Sequence, residues 1–360
     1  MKEKENVFFV LPDLSAGGAE RVVSVLARNL SQRGYRVSIL VFEKGCMAYE
    51  IFEEVKIIEF GKRFKCGVLS KLWKIMMLFI IFLKNRGAVV IPFQSSCLRY
   101  VEAANILKRV KVIACERNDP YHMYNDSDTK KLMKKLFYNA DYCVFQTKQA
   151  SEYYFSEKEF SYSIIPNPIS IPEIQWKKDM KRRRIVTFCR LTPQKNLHMA
   201  IDAMKILEKR FGDGFSFDVF GNGELKQELE SYVLEQKLEH IVKFHGITKN
   251  VTEEMSKSSV FILSSDYEGI SNSMLEALSV GMPVVCTNCP IGGAEEMISS
   301  GENGLLIPVG NHAALADEIT TLFENELFAI KLGADARKGA YEYSEEKITD
   351  CWEKVITSIS

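Results

Sequence analysis

No apolar run in this sequence is long enough to cross a bilayer, which takes about 20 residues. The one pronounced run extends only from Leu72 to Leu83. The N-terminal stretch NVFFVLPD breaks off at Pro12 and Asp13, too soon for a secretory signal. It reads as a buried first strand in a chain expected to stay in the cytoplasm. A disulfide framework is missing too. The nine cysteines are odd in number and scattered through strand-like stretches, as at Cys115, Cys143 and Cys189, which fits reduced core thiols. Cys286 and Cys289 form a CxxC without a second ligand pair or a thioredoxin-like context, and they read as core and loop residues. There is no G-x-G-x-x-G after the first strand, which argues against a dinucleotide-dependent oxidoreductase. Nor does the sequence show a cluster with metal-ligand spacing, or a nucleophile with an evident activating partner.

What is present is a globular composition: 46% of the 360 residues are hydrophobic, and the length suggests roughly two domains of ~150 residues each. The formal net charge is zero, but it is unevenly spread. Residues 1–170 carry 26 Lys and Arg against 18 Asp and Glu, and the remainder carries 21 against 29. A basic first half points to an anionic partner, whether nucleic acid, phosphorylated substrate or membrane surface. Within that half the run Leu72–Leu83 is bounded by Lys71, Lys84 and Arg86. It reads either as a core helix or as an interfacial one, anchored at lipid headgroups by Trp73 and Lys74 at one end and Lys84 and Arg86 at the other.

Strand-like and helical patterns alternate along the whole chain: NVFFVLP, the helix AERVVSVLARNLSQRG, YRVSILVF, then AVVIPF, VKVIAC and DYCVFQ. The stretch SIIPNPISIPEIQWKKDMKRRR, rich in proline and then in basic residues, reads as a linker. After it the alternation resumes with RIVTFCRL, KNLHMAIDAMKILEKRFG, FSFDVFGNGE, HIVKFHG, SVFILSS and MPVVCT. This pattern predicts an α/β protein of two doubly wound, Rossmann-like domains, residues 1–170 and 171–360, facing each other across a cleft. The last helix, about 343–360, is a candidate to pack back on the first domain. Ligands in open α/β sheets sit beyond the carboxyl ends of the strands, so the loops there are the place to look for chemistry.

Four such loops are distinctive. In PDLSAGGAER, Gly17 and Gly18 precede a helix whose free N–H groups suit an anion, although a tight turn explains them equally well. In CRLTPQKN, Arg190 and Lys195 flank Pro193 between a strand and a helix; an arginine fork and a lysine point charge together suit a departing diphosphate. In DYEGISNSMLEAL, Gly269 permits an unusual backbone angle, and Ile270, Ser271, Asn272 and Ser273 offer successive N–H groups at a helix start. Ser273 and Glu276 have capping-box spacing, with Gly281 and Pro283 as stop signals. Glu268 stands before the helix; a carboxylate beside a phosphate site is repulsive unless it accepts hydrogen bonds, and sugar hydroxyls are natural donors. In CPIGGAEEMI, Gly292 and Gly293 again precede a helical turn.

Taken together, the GGAER loop, PNPI, RLTPQKN, FGNGE, FHG at Phe244–Gly246, the E-x7-E pair Glu268/Glu276 and GGAEEMISSGENGLLIPVGN closely resemble, in order and spacing over nearly the whole chain, the retaining glycosyltransferases of family 4. The resemblance implies the GT-B fold and a nucleotide-sugar donor, UDP-linked, held mainly by the C-terminal domain. Arg190 and Lys195 would lie on its diphosphate, together with Gly269, Ile270, Ser271 and Asn272. Glu276 would bind the ribose and Glu268 the transferred sugar. The Gly17 and Gly18 loop would close over the phosphates, and the base would sit by His245–Thr248, with Gly246 among the donor contacts. It further implies retention, with the leaving diphosphate helping to deprotonate the acceptor, and no cofactor or metal.

Where many relatives carry a histidine, this chain has ACERNDPYHMY, so Glu116, Arg117, Asn118 and Asp119 become the candidate acceptor contacts; the alternative is that Asn118, Asp119 and Pro120 merely form a turn. ERNDP resembles a subgroup that builds bacterial surface polysaccharides or lipid-linked oligosaccharides. The expected partners are therefore an undecaprenyl-diphosphate-linked glycan and the inner face of the cytoplasmic membrane, with peripheral attachment and no nucleic acid. The competing readings are a non-hydrolysing UDP-sugar epimerase of the same architecture and a sugar-nucleotide-binding protein without turnover.

Overall fold

The structure is a computed structural model that describes residues 5–15, 17–45, 47, 49–61, 67–155, 160–177 and 183–360. The chain divides into two compact units, Met1–Pro168 with Glu345–Ser360, and Ile169–Ser344.

In the first unit the order is β1 (Asn6–Leu11), α1 (Gly18–Gln32), β2 (Arg36–Val41), β3 (Lys56–Glu59), α2 (Gly67–Lys84), β4 (Val89–Pro92) and α3 (Ser95–Ala104), then β5 (Lys111–Glu116), α4 (Pro120–Met123), α5 (Ser127–Asn139), β6 (Tyr142–Phe145), α6 (Lys148–Phe155) and β7 (Tyr162–Ile164). The seven strands form one parallel sheet in the order β3-β2-β1-β4-β5-β6-β7. Strands covered on both faces should be apolar almost throughout. β1 and β4 are: from Val7 to Leu11 and from Val89 to Pro92 every residue is buried.

The sheet order reverses between β1 and β4, which makes the loops after those strands this unit's switch point. The C-terminal helix Glu345–Ile359 belongs to this unit and lies on α1. Arg33 bridges Asp350 and Glu353 at 2.6 and 2.7 Å, Asn29 donates to Thr349 at 3.1 Å, and Trp352, fully buried, stands 5.8 Å from the Phe93 ring.

α2 is a surface helix. Among its apolar residues only Leu78 and Phe82 are buried, while Val68, Leu69, Leu72, Met76, Ile80 and Leu83 are exposed along one stripe. This corrects the core-helix reading of the 72–83 run. It also corrects the anchors proposed for its first turns. The Trp73 indole donates to the Phe60 carbonyl at 3.3 Å, and Lys74 lies over the Phe42 ring and 3.5 Å from Glu43, so both are engaged by the protein. Among the described residues no helix is long and apolar enough to cross a membrane.

The second unit repeats the scheme with β8 (Arg184–Phe188), α7 (Leu197–Phe211), β9 (Ser216–Phe220), α8 (Lys226–Glu235), β10 (Val242–Gly246), α9 (Val251–Ser256) and β11 (Val260–Leu263), then α10 (Asn272–Val280), β12 (Val284–Thr287), β13 (Leu305–Ile307), α11 (His312–Glu324) and α12 (Glu326–Ala340). Its parallel sheet runs β10-β9-β8-β11-β12-β13, with the reversal between β8 and β11. Two parallel sheets with helical crossovers are the doubly wound α/β arrangement expected from the alternation.

Candidate active site

The switch point of the second unit brings together the loops that follow β8 and β11. After β8 the chain passes Arg190 and a short 3-10 turn, Pro193–Lys195, before Asn196 caps α7 in the left-handed region (φ 40°) and accepts from the Met199 amide at 3.2 Å. Asn tolerates that conformation because its short polar side chain bonds locally. The same Asn196 donates to Asp266 at 2.6 Å, and Gln194 donates to the Tyr267 carbonyl at 2.9 Å. The Asp266 amide returns a bond to the Gln194 carbonyl at 3.0 Å, and Ser264 donates to the Lys195 carbonyl at 2.8 Å. These bonds fasten RLTPQKN to SSDYEG.

The result is that Lys195, buried at 8% exposure, pairs directly with Glu268, while Arg190 is exposed, its guanidinium 3.4 Å from Gln194 Oε1. A lysine ammonium has three donors, so Lys195 is able to hold Glu268 and still donate to an anion. The hydroxyl of Thr192, buried in the same loop, finds no hydrogen-bond partner among the described residues.

Two glycine motifs shape this loop cluster by close backbone approach. A Cβ at Gly293 would lie 1.9 Å from the Gly269 carbonyl oxygen, so GGAEEM can nest against DYEGI only without a side chain there. Gly221 of FGNGE adopts φ 138°, and a Cβ there would meet the Cys189 carbonyl oxygen at 1.8 Å. Both motifs therefore support the walls of the switch point. Cys286 and Cys289 are buried free thiols, pushed up by burial, Cys289 to about 11.

At the start of α10 the structure corrects one expectation. The N-cap is Ser271, whose hydroxyl accepts from the Met274 amide at 3.5 Å; Ser273 is already the second helical residue, so no Ser273/Glu276 box forms. The reason is apolar. Ile270 before the cap and Leu275 on the first turn are both buried in the unit's core, a hydrophobic-staple placement that sets the cap two residues earlier. Glu276 is then buried along the helix at 7% exposure, and Gly281 closes the helix at φ 82°. The amides of Asn272 and Ser273 lie in the first turn of α10, beside Gly269.

Toward the β10 edge of this sheet, His245 on β10 stacks on Phe220 (4.7 Å, 19°), which stacks on Phe188 (4.7 Å, 8°). Asp218 fixes the His245 ring through Nε2 at 2.7 Å and is itself held by Arg184, which also bridges Glu254 at 2.8 Å. Gly246 follows at φ 73°. The sequence reading missed this Asp218–Arg184 pair; the available signal was a lone acid inside the apolar strand FSFDVF.

In the first unit, Gly17 is the N-cap of α1, in extended conformation (φ −157°). A Cβ there would lie 2.1 Å from a Glu20 carboxylate oxygen, so a side chain at this position would displace the Glu20 carboxylate. Gly18 opens the helix, and Glu20 is held by Gln94 at 2.7 Å.

The β5–α4 loop carries Glu116, Arg117, Asn118 and Asp119. Glu116, at 2% exposure, accepts from Tyr154 (2.6 Å), Tyr124 (3.2 Å) and the amides of Arg117 and Asn118 (3.1 and 3.3 Å). Burial pushes its carboxyl up to about 7, opposed by these hydrogen bonds. Arg117 donates to the Ile165 carbonyl and to Asn167 of the PNP motif (3.0 and 2.5 Å), over the Phe93 ring. Asp119, fully buried, caps α4 through the Tyr121 amide and touches His122 Nδ1 at 2.5 Å. The turn expected at Asn118, Asp119 and Pro120 is present, with Asp119 as the cap of α4. Among the described residues no group of three His, Cys, Asp or Glu side chains is placed to hold a metal ion.

Two parallel, doubly wound sheets define the GT-B class, and solved structures share the fold. S. aureus TarM, crystallised with fondaparinux, α-GlcNAc-glycerol and UDP, matches with a TM-score of 0.84 over 98% of this chain and 100% of its own, at 14% identity. Anabaena HepE with UDP and glucose matches at 0.84 over 98% and 99%, at 18% identity. The sequence matches are to glycosyltransferases. Residues 171–342 match the family described as glycosyl transferases group 1. A Campylobacter jejuni enzyme named GalNAc-α-(1→4)-GalNAc-α-(1→3)-diNAcBac-PP-undecaprenol α-1,4-N-acetyl-D-galactosaminyltransferase is 25% identical over 98% of both chains. A second C. jejuni enzyme, the N-acetylgalactosamine-N,N'-diacetylbacillosaminyl-diphospho-undecaprenol 4-α-N-acetylgalactosaminyltransferase, is 28% identical over 91% of this chain and 93% of its own. The chain thus has the GT-B fold, and its residues 171–342 carry the likeness to the glycosyl transferases group 1 family.

Proposed function

We propose that this glycosyltransferase moves a hexose or N-acetylhexosamine, with retention, from a UDP-sugar to an undecaprenyl-diphosphate-linked glycan in surface-polysaccharide assembly, working at the cytoplasmic face of the membrane. The observation that carries the reading is the loop cluster at the switch point of the second unit. It sets an exposed arginine, a buried lysine, a helix N-terminus and two acids within one loop system. Arg190, Lys195 and the first-turn amides of α10 neutralise the charge that grows on the departing diphosphate. Glu268, partnered by Lys195, takes hydroxyls of the transferred sugar, and Glu276 takes the ribose. The aromatic ladder ending in His245, with Gly246 and its amide, receives the base. No protein nucleophile is invoked, since the leaving diphosphate accepts the proton of the attacking hydroxyl on the same face, and no metal is needed to neutralise it.

The acceptor falls to the first unit, at the Glu116–Asp119 loop. The relatives that act on undecaprenyl-diphosphate glycans support that class of acceptor, and TarM and HepE, both crystallised with UDP, support that donor. The exposed apolar stripe of α2, with Lys71 and Lys84 at its margins, supplies a surface for peripheral attachment to anionic lipid. The test is to incubate the protein with UDP- and GDP-sugars and an undecaprenyl-diphosphate glycan. UDP release coupled to a lengthened lipid-linked glycan, with the anomeric configuration of the donor preserved by NMR, is the expected result. Release of UDP without transfer, or transfer with inversion, refutes it.

A further inference from the structure

Within the Glu116–Asp119 loop the protein's own hydrogen bonds anchor three of the four side chains. Both Glu116 oxygens are engaged, one by the amides of Arg117 and Asn118 and the other by Tyr124 and Tyr154. The Arg117 guanidinium is moored through its two terminal nitrogens to Ile165 and Asn167, its buried Nε finding no partner among the described residues, and the Asp119 carboxylate caps α4 and holds His122. Asn118 differs. It is partly exposed, and among the described residues its side-chain amide has one contact, a weak one to the Met123 sulfur at 3.6 Å. A primary amide offers two donors and an acceptor, which matches a sugar hydroxyl or an N-acetyl group.

We propose that Asn118 is the specificity-determining contact of this loop for the acceptor sugar, and that Glu116 is a positioning residue that aims it through the two backbone amides it accepts. Two consecutive amides directed at Glu116 Oε1 fix the turn at Arg117 and Asn118, and the tyrosines behind Glu116 hold the carboxylate in place through its other oxygen. Arg117, moored to Asn167, and Asp119, moored at the start of α4, pin the two flanks. The inference rests on the reading that the first unit takes the acceptor glycan, and it reassigns Glu116, Arg117 and Asp119 from contacts to supports.

The test measures KM for acceptor and for donor separately in the full-length enzyme. Asn118→Ala is expected to raise the acceptor KM about tenfold, the scale of one lost hydrogen bond, with donor KM unchanged. Glu116→Asp, which withdraws the carboxylate by one methylene, is expected to do the same. Glu116→Gln, which keeps an oxygen for both amides, is expected to restore near-normal acceptor KM. An acceptor KM unmoved by Asn118→Ala overturns the contact, and a Glu116→Asp effect that falls equally on donor and acceptor overturns the positioning role. Wild-type enzyme that binds UDP-sugar yet transfers to no lipid-linked glycan overturns the functional reading itself, and this proposal with it.

Discussion

Glu116→Gln should change the pH dependence of stability more than any activity parameter. In the native protein burial raises this carboxyl from its ordinary 4.5 to about 7, so between those values the folded chain holds a proton that the unfolded chain has released. Folding stability is therefore highest for this group below pH 4.5 and falls as pH rises through 7. The full displacement corresponds to about 3 kcal/mol, of which roughly 2 to 3 kcal/mol is lost between pH 5 and 8. Four of its neighbours lie outside that window. Tyr124 and Tyr154 are held neutral, their phenols pushed up chiefly by burial, the Cys115 thiol is pushed up to about 12, and the Arg117 guanidinium is pulled down only to about 10.

Gln mimics the protonated acid, so wild type and variant should have similar stability at pH 5 and diverge above it, the variant becoming the more stable. For a unit of this size the divergence at pH 8 amounts to roughly 5 to 10 °C in the thermal midpoint. Urea denaturation followed by tryptophan fluorescence at several pH values gives the free energies directly. Curves that stay parallel from pH 5 to 8 would refute the argument.

Three other outcomes are expected. Arg190→Ala and Lys195→Ala should each lower kcat by about 10²- to 10³-fold, the effect of removing one preorganised charge stabiliser; near-normal turnover in either variant contradicts their assignment to the diphosphate. Gly293→Ala forces a Cβ onto the Gly269 carbonyl, and calorimetry should show UDP binding weakened more than tenfold; unchanged affinity would mean that the two loops separate without consequence. Replacing Leu72 and Met76 with Asp on the exposed stripe of α2 should abolish co-sedimentation with phosphatidylglycerol vesicles while leaving the melting temperature alone; persistent binding would remove α2 from the membrane surface.

The α/β alternation was legible because strands buried on both faces read as short apolar runs, and β1 and β4 are such runs. The contacts that build the candidate site were less so, because they are tertiary. Lys195 meets Glu268 across 73 residues of sequence, and Arg184 meets Asp218 across 34. Spacing along a chain carries no record of such pairings. The α10 cap was misplaced for a related reason. Local chemistry at Ser273 and Glu276 permitted a capping box, but burial of Ile270 and Leu275, a property of the whole core, decided where the helix began. The α2 run was ambiguous because its eleven apolar residues look alike from sequence whichever face is covered; the exposed stripe and the inward engagement of Trp73 and Lys74 separate the readings.

The C-terminal helix Glu345–Ile359 completes a unit whose other elements end near residue 168. A ribosome therefore releases the middle of the chain as a finished α/β layer while the earlier layer still lacks the segment that covers α1 and seats Trp352 beside Phe93. Maturation of the first unit waits on a segment made after the second, so a nascent chain stalled before residue 345 would expose the flank of α1 to chaperones and proteases.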